Sequence, residues 1–169
     1  MNGVVVDREA LVALAVDAAR RGDADTLVRT IAAGVDVNAV SPRGDSLLML
    51  ASYHGHVEAV AALVDRGADP NVRDAKGQPP LAGVAFKGVV GVARLLVDAG
   101  AEIDARSNDG RTPLMMAAAF NRAEMVAWLL ARGASPDARD AAGLRAVDLA
   151  AAMGADVRAF SAARPLETP

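Results

Sequence analysis

The sequence predicts an all-α solenoid, in which pairs of helices stack side by side within one domain. Three observations support this prediction. Glycines recur every 33 residues, alanine-rich apolar stretches alternate with short turn-forming segments, and aromatic residues make up only 3% of a chain that is 53% hydrophobic. A fixed period of this length indicates a repeat architecture, and a core with few rings requires helices that approach closely through small side chains.

The glycines form three series that share the 33-residue spacing. The first series predicts a tight turn between two helices, the second a helix C-cap, and the third a loop just before the next helix. Asparagine replaces glycine once, and it tolerates a left-handed backbone better than most residues do. The series are Gly22, Gly55, Gly88, Asn121 and Gly154; Gly34, Gly67, Gly100 and Gly133; and Gly44, Gly77, Gly110 and Gly143.

Each period therefore predicts a first helix, a turn, a longer second helix and a loop. Ser46, Pro80 and Thr112 indicate where first helices begin, as N-cap or first-turn residues. The apolar stretch 57–64 is typical of a second helix, and the segment 69–74 is a turn-rich loop. Leucines of constant phase are expected to form the core, namely Leu48, Leu81 and Leu114 on first helices and Leu63, Leu96 and Leu129 on second helices.

Within this pattern, the segment 108–118, Asn-Asp-Gly-Arg-Thr-Pro-Leu-Met-Met-Ala-Ala, resembles the Thr-Pro-Leu-His-x-Ala signature of ankyrin repeats. The Gly-Ala-Asp-Pro-Asn segment at 67–71 and the Gly-His-Val-Glu turn at 55–58 are similar to that family too. The resemblance covers about residues 8–161 and implies an ankyrin-repeat solenoid of about five stacked helix-turn-helix units with short β-hairpin-like loops.

The predicted domain spans 1–163 and is followed by a C-terminal tail at 164–169. Its units are an N-terminal cap at 7–40, full repeats at 41–73, 74–106 and 107–139, and a C-terminal cap at 140–163. The repeat 74–106 is the least regular, because Gly83 and Gly91 fall inside its predicted helices, where glycine costs about 1 kcal/mol relative to alanine. We expect this repeat to be the least stable internal one.

The few aromatic side chains divide into two groups. Trp128 shares a phase with Ala62 and Leu95 and is therefore expected inside, and like Phe160 it is assigned to packing. Tyr53 and Phe86 share one position at the end of a first helix, and Phe120 lies one position later in its own repeat. In the ankyrin family this place faces the concave groove, so the resemblance implies rings at a partner-binding surface. The alternative is that these rings shield the groove between repeats.

Charged residues are expected along the edge that the hairpin-like loops form. Arg73, Arg106 and Arg139 end successive repeats and should stack about 10 Å apart, the spacing of packed helices. They could contact a partner, for which an acidic or mixed protein surface would be suitable, or pair with neighbouring aspartates. The candidate contact residues are Arg43, Asp45, Tyr53, His54, Arg73, Lys76, Gln78, Phe86, Lys87, Arg106, Arg111, Phe120 and Arg139.

Composition and spacing argue against other classes of function. The chain has no cysteine and a net charge of -3, which excludes thiolate chemistry and disfavours nucleic-acid binding. The segment 44–47, Gly-Asp-Ser-Leu, matches the nucleophile block of a family of serine esterases, but no histidine follows His56 to act as the base. His54, His56 and Glu58 cannot complete a zinc site, because the chain has no further histidine.

The sequence thus favours a non-enzymatic, monomeric, cytoplasmic protein that needs no cofactor or metal. Its apolar start is too short for a signal core, no apolar run reaches the roughly 18 residues of a membrane span, and the arginine- and alanine-rich composition favours a GC-rich bacterial source. The resemblance implies binding of another protein through the concave face. The alternative is a dedicated inhibitor or immunity-type partner of a single bacterial enzyme.

Overall fold

Helices that follow one another in pairs make up the fold. A computed structural model of the chain describes residues 7–158 and 160, and within them it contains nine α-helices and a single isolated β-bridge. The helices are α1 (Arg8–Arg21), α2 (Ala24–Ala32), α3 (Leu47–Tyr53), α4 (Val57–Val64), α5 (Pro80–Lys87), α6 (Val90–Asp98), α7 (Pro113–Ala119), α8 (Ala123–Ala131) and α9 (Ala146–Ala152).

The helix pairs stack into two layers. The first helices α1, α3, α5, α7 and α9 each contact the next in that order, and the second helices α2, α4, α6 and α8 form a parallel series of contacts. The all-α solenoid predicted from the sequence is therefore confirmed. The unit boundaries remain a prediction, and the tail 164–169 lies outside the described residues.

First helices begin where the sequence places their caps. The Ser46 hydroxyl accepts a hydrogen bond of 3.1 Å from the backbone N–H of Met49, and Thr112 accepts one of 3.4 Å from Met115. Pro80 is the first residue of α5, where a missing N–H costs nothing. These three predicted helix starts are confirmed.

The predicted turns take the left-handed backbone that the glycine series requires. Every glycine of the three series has a positive φ, and Asn121, with φ 53°, is the one non-glycine residue of the described ranges that shares it. The turn glycine also makes room for the next repeat, because a β-carbon at Gly22 would lie 2.6 Å from the ring of His56. That ring donates a hydrogen bond of 2.9 Å to the Arg20 carbonyl, so His56 links its own repeat to the preceding one.

The core consists of the predicted leucine ladders and of small residues between the first helices. All six ladder leucines are at most 1% exposed. Ala51, Ala117 and Ala150 share one phase on the first helices and are buried, which lets those helices pack closely. Phe160 is 8% exposed, as expected for a packing residue.

Trp128 is an exception to the predicted core. It is only partly buried at the edge of α8, and the Arg132 guanidinium carbon lies 5.0 Å from its ring centroid. Ala62 and Leu95, which share its phase, are also only partly buried. The predicted core position of Trp128 is therefore wrong, because this phase lies on the outer flank of the second-helix layer.

Four short hairpin-like loops, called tips 1 to 4, connect the helix pairs. They are residues 41–45, 74–78, 107–111 and 140–144. In each tip the first residue donates its N–H to the carbonyl of the fifth, at 2.8 Å from Ser41 to Asp45 and 3.1 Å from Asp74 to Gln78. The Asp74 carboxylate also accepts the backbone N–H groups of Lys76 and Gln78. The β-hairpin-like loops implied by the resemblance are thus confirmed.

Replacing Gly91 by alanine should stabilise the repeat 74–106. Gly91 lies inside α6 on the surface, and an added β-carbon would reach only the Val57 side chain, at 4.0 Å. We expect the free energy of unfolding to rise by about 0.5–1 kcal/mol in urea titrations, with slower amide exchange in this repeat. The matched variant Gly88→Ala should instead be destabilised, since Gly88 has φ 83° and the Arg122 side chain lies 3.0 Å from the added carbon.

Replacing Ser52 by alanine should leave stability unchanged or raise it by up to about 1 kcal/mol. The Ser52 hydroxyl is buried and has no hydrogen-bond partner among the described residues, whereas Ala19, Ala85 and Ala118 occupy its position in other repeats. Chemical denaturation of this variant should be compared with that of Ala85→Ser, which introduces a second buried hydroxyl and is expected to lower stability. A large loss of stability in Ser52→Ala would contradict this account.

Candidate functional site

Three aromatic side chains form a continuous row on the first-helix side, here called the aromatic strip. The rings of Tyr53 and Phe86 are nearly parallel with centroids 6.3 Å apart, and Phe86 meets Phe120 edge to face at 4.3 Å. Tyr53 and Phe120 are 41% and 42% exposed, and Phe86 is half-buried. The three rings therefore converge as the sequence predicts, and their outer faces remain open to a ligand.

Basic side chains lie against this strip. The Lys87 ammonium is 4.5 Å from the centroid of Tyr53 and 5.9 Å from that of Phe86, within the range of a cation–π interaction. The His54 ring meets Tyr53 edge to face at 5.6 Å. The strip thus joins apolar contact area to positive charge.

A groove of about 780 Å³ opens beside the strip. Its lining includes seven of the residues that the sequence singles out, namely Arg43, Asp45, Tyr53, His54, Lys76, Gln78 and Phe86. Arg20, Met49, Leu50, Gly83 and Met116 also line it, and sequence reasoning missed them as site residues. The repeat phase could have identified some of these residues, because Arg20 lies 33 residues before Tyr53 and Gly83 lies midway between Leu50 and Met116.

The candidates Arg73, Arg106 and Arg139 lie outside the groove lining and form an arginine ladder along the tips. Arg106 donates to the Arg139 carbonyl at 2.6 Å, and Arg73 donates to the Arg106 carbonyl. Each guanidinium also donates to a carbonyl of its own tip, that of Gly77, Gly110 or Gly143. These arginines therefore tie neighbouring tips together through backbone carbonyls while remaining exposed.

Arg111 shows the ion pairing between tips that the sequence offers as an alternative. Its guanidinium lies 3.4 Å from the carboxylate of Asp109 in its own tip and 3.8 Å from that of Asp140 in the next. The Asp140 side chain is only 4% exposed, so this pair lies in the seam between tips 3 and 4.

Comparison with known proteins agrees with this geometry. A profile described as "Ankyrin repeats (3 copies)" matches residues 15–107 and 62–140, which together cover more than half of the chain. The chain belongs to the ankyrin-repeat family. A Pseudomonas aeruginosa protein named as an ankyrin repeat protein is 48% identical over 42 residues, and the match spans 25% of this chain and 25% of that relative.

The ankyrin repeats that the structure describes do not arrange their residues as the esterase or zinc site considered from the sequence would require. Ser46 is 1% exposed and its hydroxyl caps α3. Across residues 7–158 and 160, no three histidine, aspartate or glutamate side chains come together as metal ligands do. The helices in the same ranges are all too short or too polar to cross a membrane.

The repeat stack shifts the titration of the site residue His54. Partial burial lowers the pKa of His54 below its ordinary value of 6.5, and the positive charges of His56, Lys87 and Arg20 lower it further. These groups come from α1, from the α3–α4 turn and from the end of α5, so the shift depends on the stacked repeats.

This shift predicts a pH dependence of stability. The unfolded chain binds a proton at His54 more readily than the folded chain, so stability should fall as the pH drops below 6.5 through the folded pKa. We expect thermal unfolding of His54→Gln to depend less on pH in this window than that of the wild type. Equal pH slopes for the two proteins would contradict the shift.

Proposed function

We propose that this ankyrin-repeat protein is a non-enzymatic binding module of the bacterial cytoplasm that holds a partner protein against its concave face. The observation that carries the proposal is the aromatic strip, in which Tyr53 and Phe120 keep exposed rings beside the half-buried Phe86. Exposed rings in a row reduce solubility and are enriched where proteins bind one another. Burial of such a strip against a partner accounts for its presence in a chain with five aromatic residues.

The scaffold supports this use because it is pre-organised. The leucine ladders and the arginine ladder connect each repeat to the next, so the strip loses little conformational freedom when a partner binds. Rigid aromatic side chains with few rotatable bonds commonly dominate binding energy at such surfaces. Adjacent residues can then change without disturbing the core.

The charge distribution favours an acidic or mixed partner surface. The whole chain carries a net charge of -3, yet four cations surround the groove and strip. They are Arg20, Arg43, Lys76 and Lys87. Within the described part of the chain none of these four takes part in an ion pair, so their charge remains available to an incoming carboxylate.

Affinity capture with a Tyr53→Ala, Phe86→Ala double variant tests the proposal. Each ring should cost about 2 kcal/mol or more of binding energy if it is a hot spot, so partners retained by the wild type should be lost. The matched control is Leu14→Ala, which truncates an exposed apolar residue of α1 that does not line the groove. Circular dichroism should show that all variants keep their helix content.

Two results decide between the candidate roles. Retention of the same captured proteins by a folded double variant would refute binding through the concave face. A single stoichiometric partner that is an enzyme, and whose activity falls on binding, would favour the dedicated inhibitor over a general adaptor.

A further inference from the structure

The four tips are not joined to one another equally. Between tips 2 and 3, the N–H of Asn108 donates to the Lys76 carbonyl at 3.0 Å, and between tips 3 and 4 the N–H of Ala141 donates to the Asp109 carbonyl at 2.9 Å. The corresponding groups of tips 1 and 2 are the N–H of Ala75 and the carbonyl of Arg43. They form no such bond in the structure.

The arginine ladder also stops short of this junction. Position 40, one period before Arg73, is Val40, which is 48% exposed. The carbonyls that an arginine there would reach, those of Gly44 and Arg73, receive no hydrogen bond from any described residue. Tip 1 therefore lacks the side-chain clamp that links each later tip to its neighbour.

Packing at the tip glycines shows the same difference independently. A β-carbon added at Gly77 would overlap the Asn108 side chain, and one at Gly110 would lie 3.0 Å from the Ala141 nitrogen. At Gly44 nothing lies within 4 Å of the added carbon. Tip 1 thus stands apart from tip 2, whereas tips 2, 3 and 4 are in contact.

The groove of about 780 Å³ opens at this junction. Arg43 and Asp45 line it from tip 1, and Lys76 and Gln78 line it from tip 2. Gly83 also lines the groove, and it has no side chain at a phase occupied by Leu50 and Met116 in the adjacent repeats. The Tyr53 ring packs over this glycine, with its nearest carbon 3.4 Å from where a β-carbon would be, so the ring forms part of the groove wall.

The two carboxylates of the groove accept hydrogen bonds from neutral groups of their own tips. Asp74 accepts two backbone N–H groups of tip 2, both at 2.8 Å, and Asp45 lies 3.4 Å from the Ser41 hydroxyl. Arg43 and Lys76, which occupy the same phase of adjacent tips, pair with no carboxylate of the described residues. The groove therefore presents two cations that form no ion pair within the described part of the chain, beside apolar lining residues such as Met49 and Leu50.

We infer that the open junction between tips 1 and 2 is the specificity subsite of the concave face, and that it takes a linear acidic segment of the partner protein. A glutamate or aspartate of this segment binds between Arg43 and Lys76, and a neighbouring bulky apolar side chain packs in the groove against the Tyr53 ring. This inference rests on the proposed function and narrows it to one site and one kind of ligand. Desolvated charge pairs and a filled apolar pocket together provide specificity.

A display library of random linear peptides, selected on the intact protein, tests the inference. Enriched peptides should combine an acidic residue with an adjacent bulky apolar one. Their affinity should fall by more than about tenfold in Lys76→Glu, which places a like charge at the site, and should weaken as salt is raised. The matched charge reversal Arg94→Glu, on the exposed face of α6, should leave binding unchanged.

Val40→Arg tests the open junction by closing it. The new guanidinium would reach the Gly44 and Arg73 carbonyls as Arg73 reaches those of Gly77 and Arg106, so the unfolding temperature should rise while peptide affinity falls by about tenfold or more. Because stability and binding are expected to change in opposite directions, a misfolded variant cannot imitate this result.

The outcomes separate this inference from the proposed function. Peptides that lose affinity in Phe86→Ala but bind Lys76→Glu and Val40→Arg normally would refute the subsite and leave the concave face in place. Peptides that bind all three variants with the affinity of the wild type would refute both the subsite and binding through the concave face. Failure to enrich any acidic peptide on the wild type would also overturn the inference, since the site is proposed to accept a linear segment by itself.

Discussion

Residues that are 33 positions apart become neighbours in space, because each helix pair packs against the next in the same orientation. The left-handed turns make this possible. A β-carbon at Gly22 would overlap the ring of His56 from the following repeat, and Arg122 fills the same place over Gly88 two repeats later. The first helices can then pack closely through buried alanines, and residues at each equivalent repeat position line up along the stack.

Because of this alignment, equivalent residues of successive repeats form continuous surfaces. Tyr53 and Phe86 are far apart in the chain, yet their rings lie nearly parallel, and Arg73, Arg106 and Arg139 link successive tips through backbone carbonyls. The first surface is exposed and has aromatic and cationic character, whereas the second is mainly occupied with holding the tips together. Regular repetition therefore produces both the scaffold and the strip.

The groove lies where the regularity of the repeats is interrupted. Val40 stands in place of a ladder arginine before tip 1, and Gly83, which lines the groove, stands in place of a larger apolar side chain. Both departures weaken contacts within the solenoid, since one removes a clamp and the other a packing group. Tip 1 accordingly lies apart from tip 2, and residues of both tips line the groove.

The sequence by itself determined the helix pairs, the turn glycines, the caps at Ser46 and Thr112, and the leucine ladders, because these depend on local backbone preference and on the repeat period. It also predicted that Tyr53 and Phe86 would converge. Tertiary structure alone decided that Trp128 lies at the edge of the core. Its burial depends on how close its repeat position lies to the outer flank of the second-helix layer. Tertiary structure also decided that the ladder arginines bind carbonyls rather than aspartates and that tip 1 stands apart from tip 2, because such contacts depend on distances between separate repeats that no local pattern encodes.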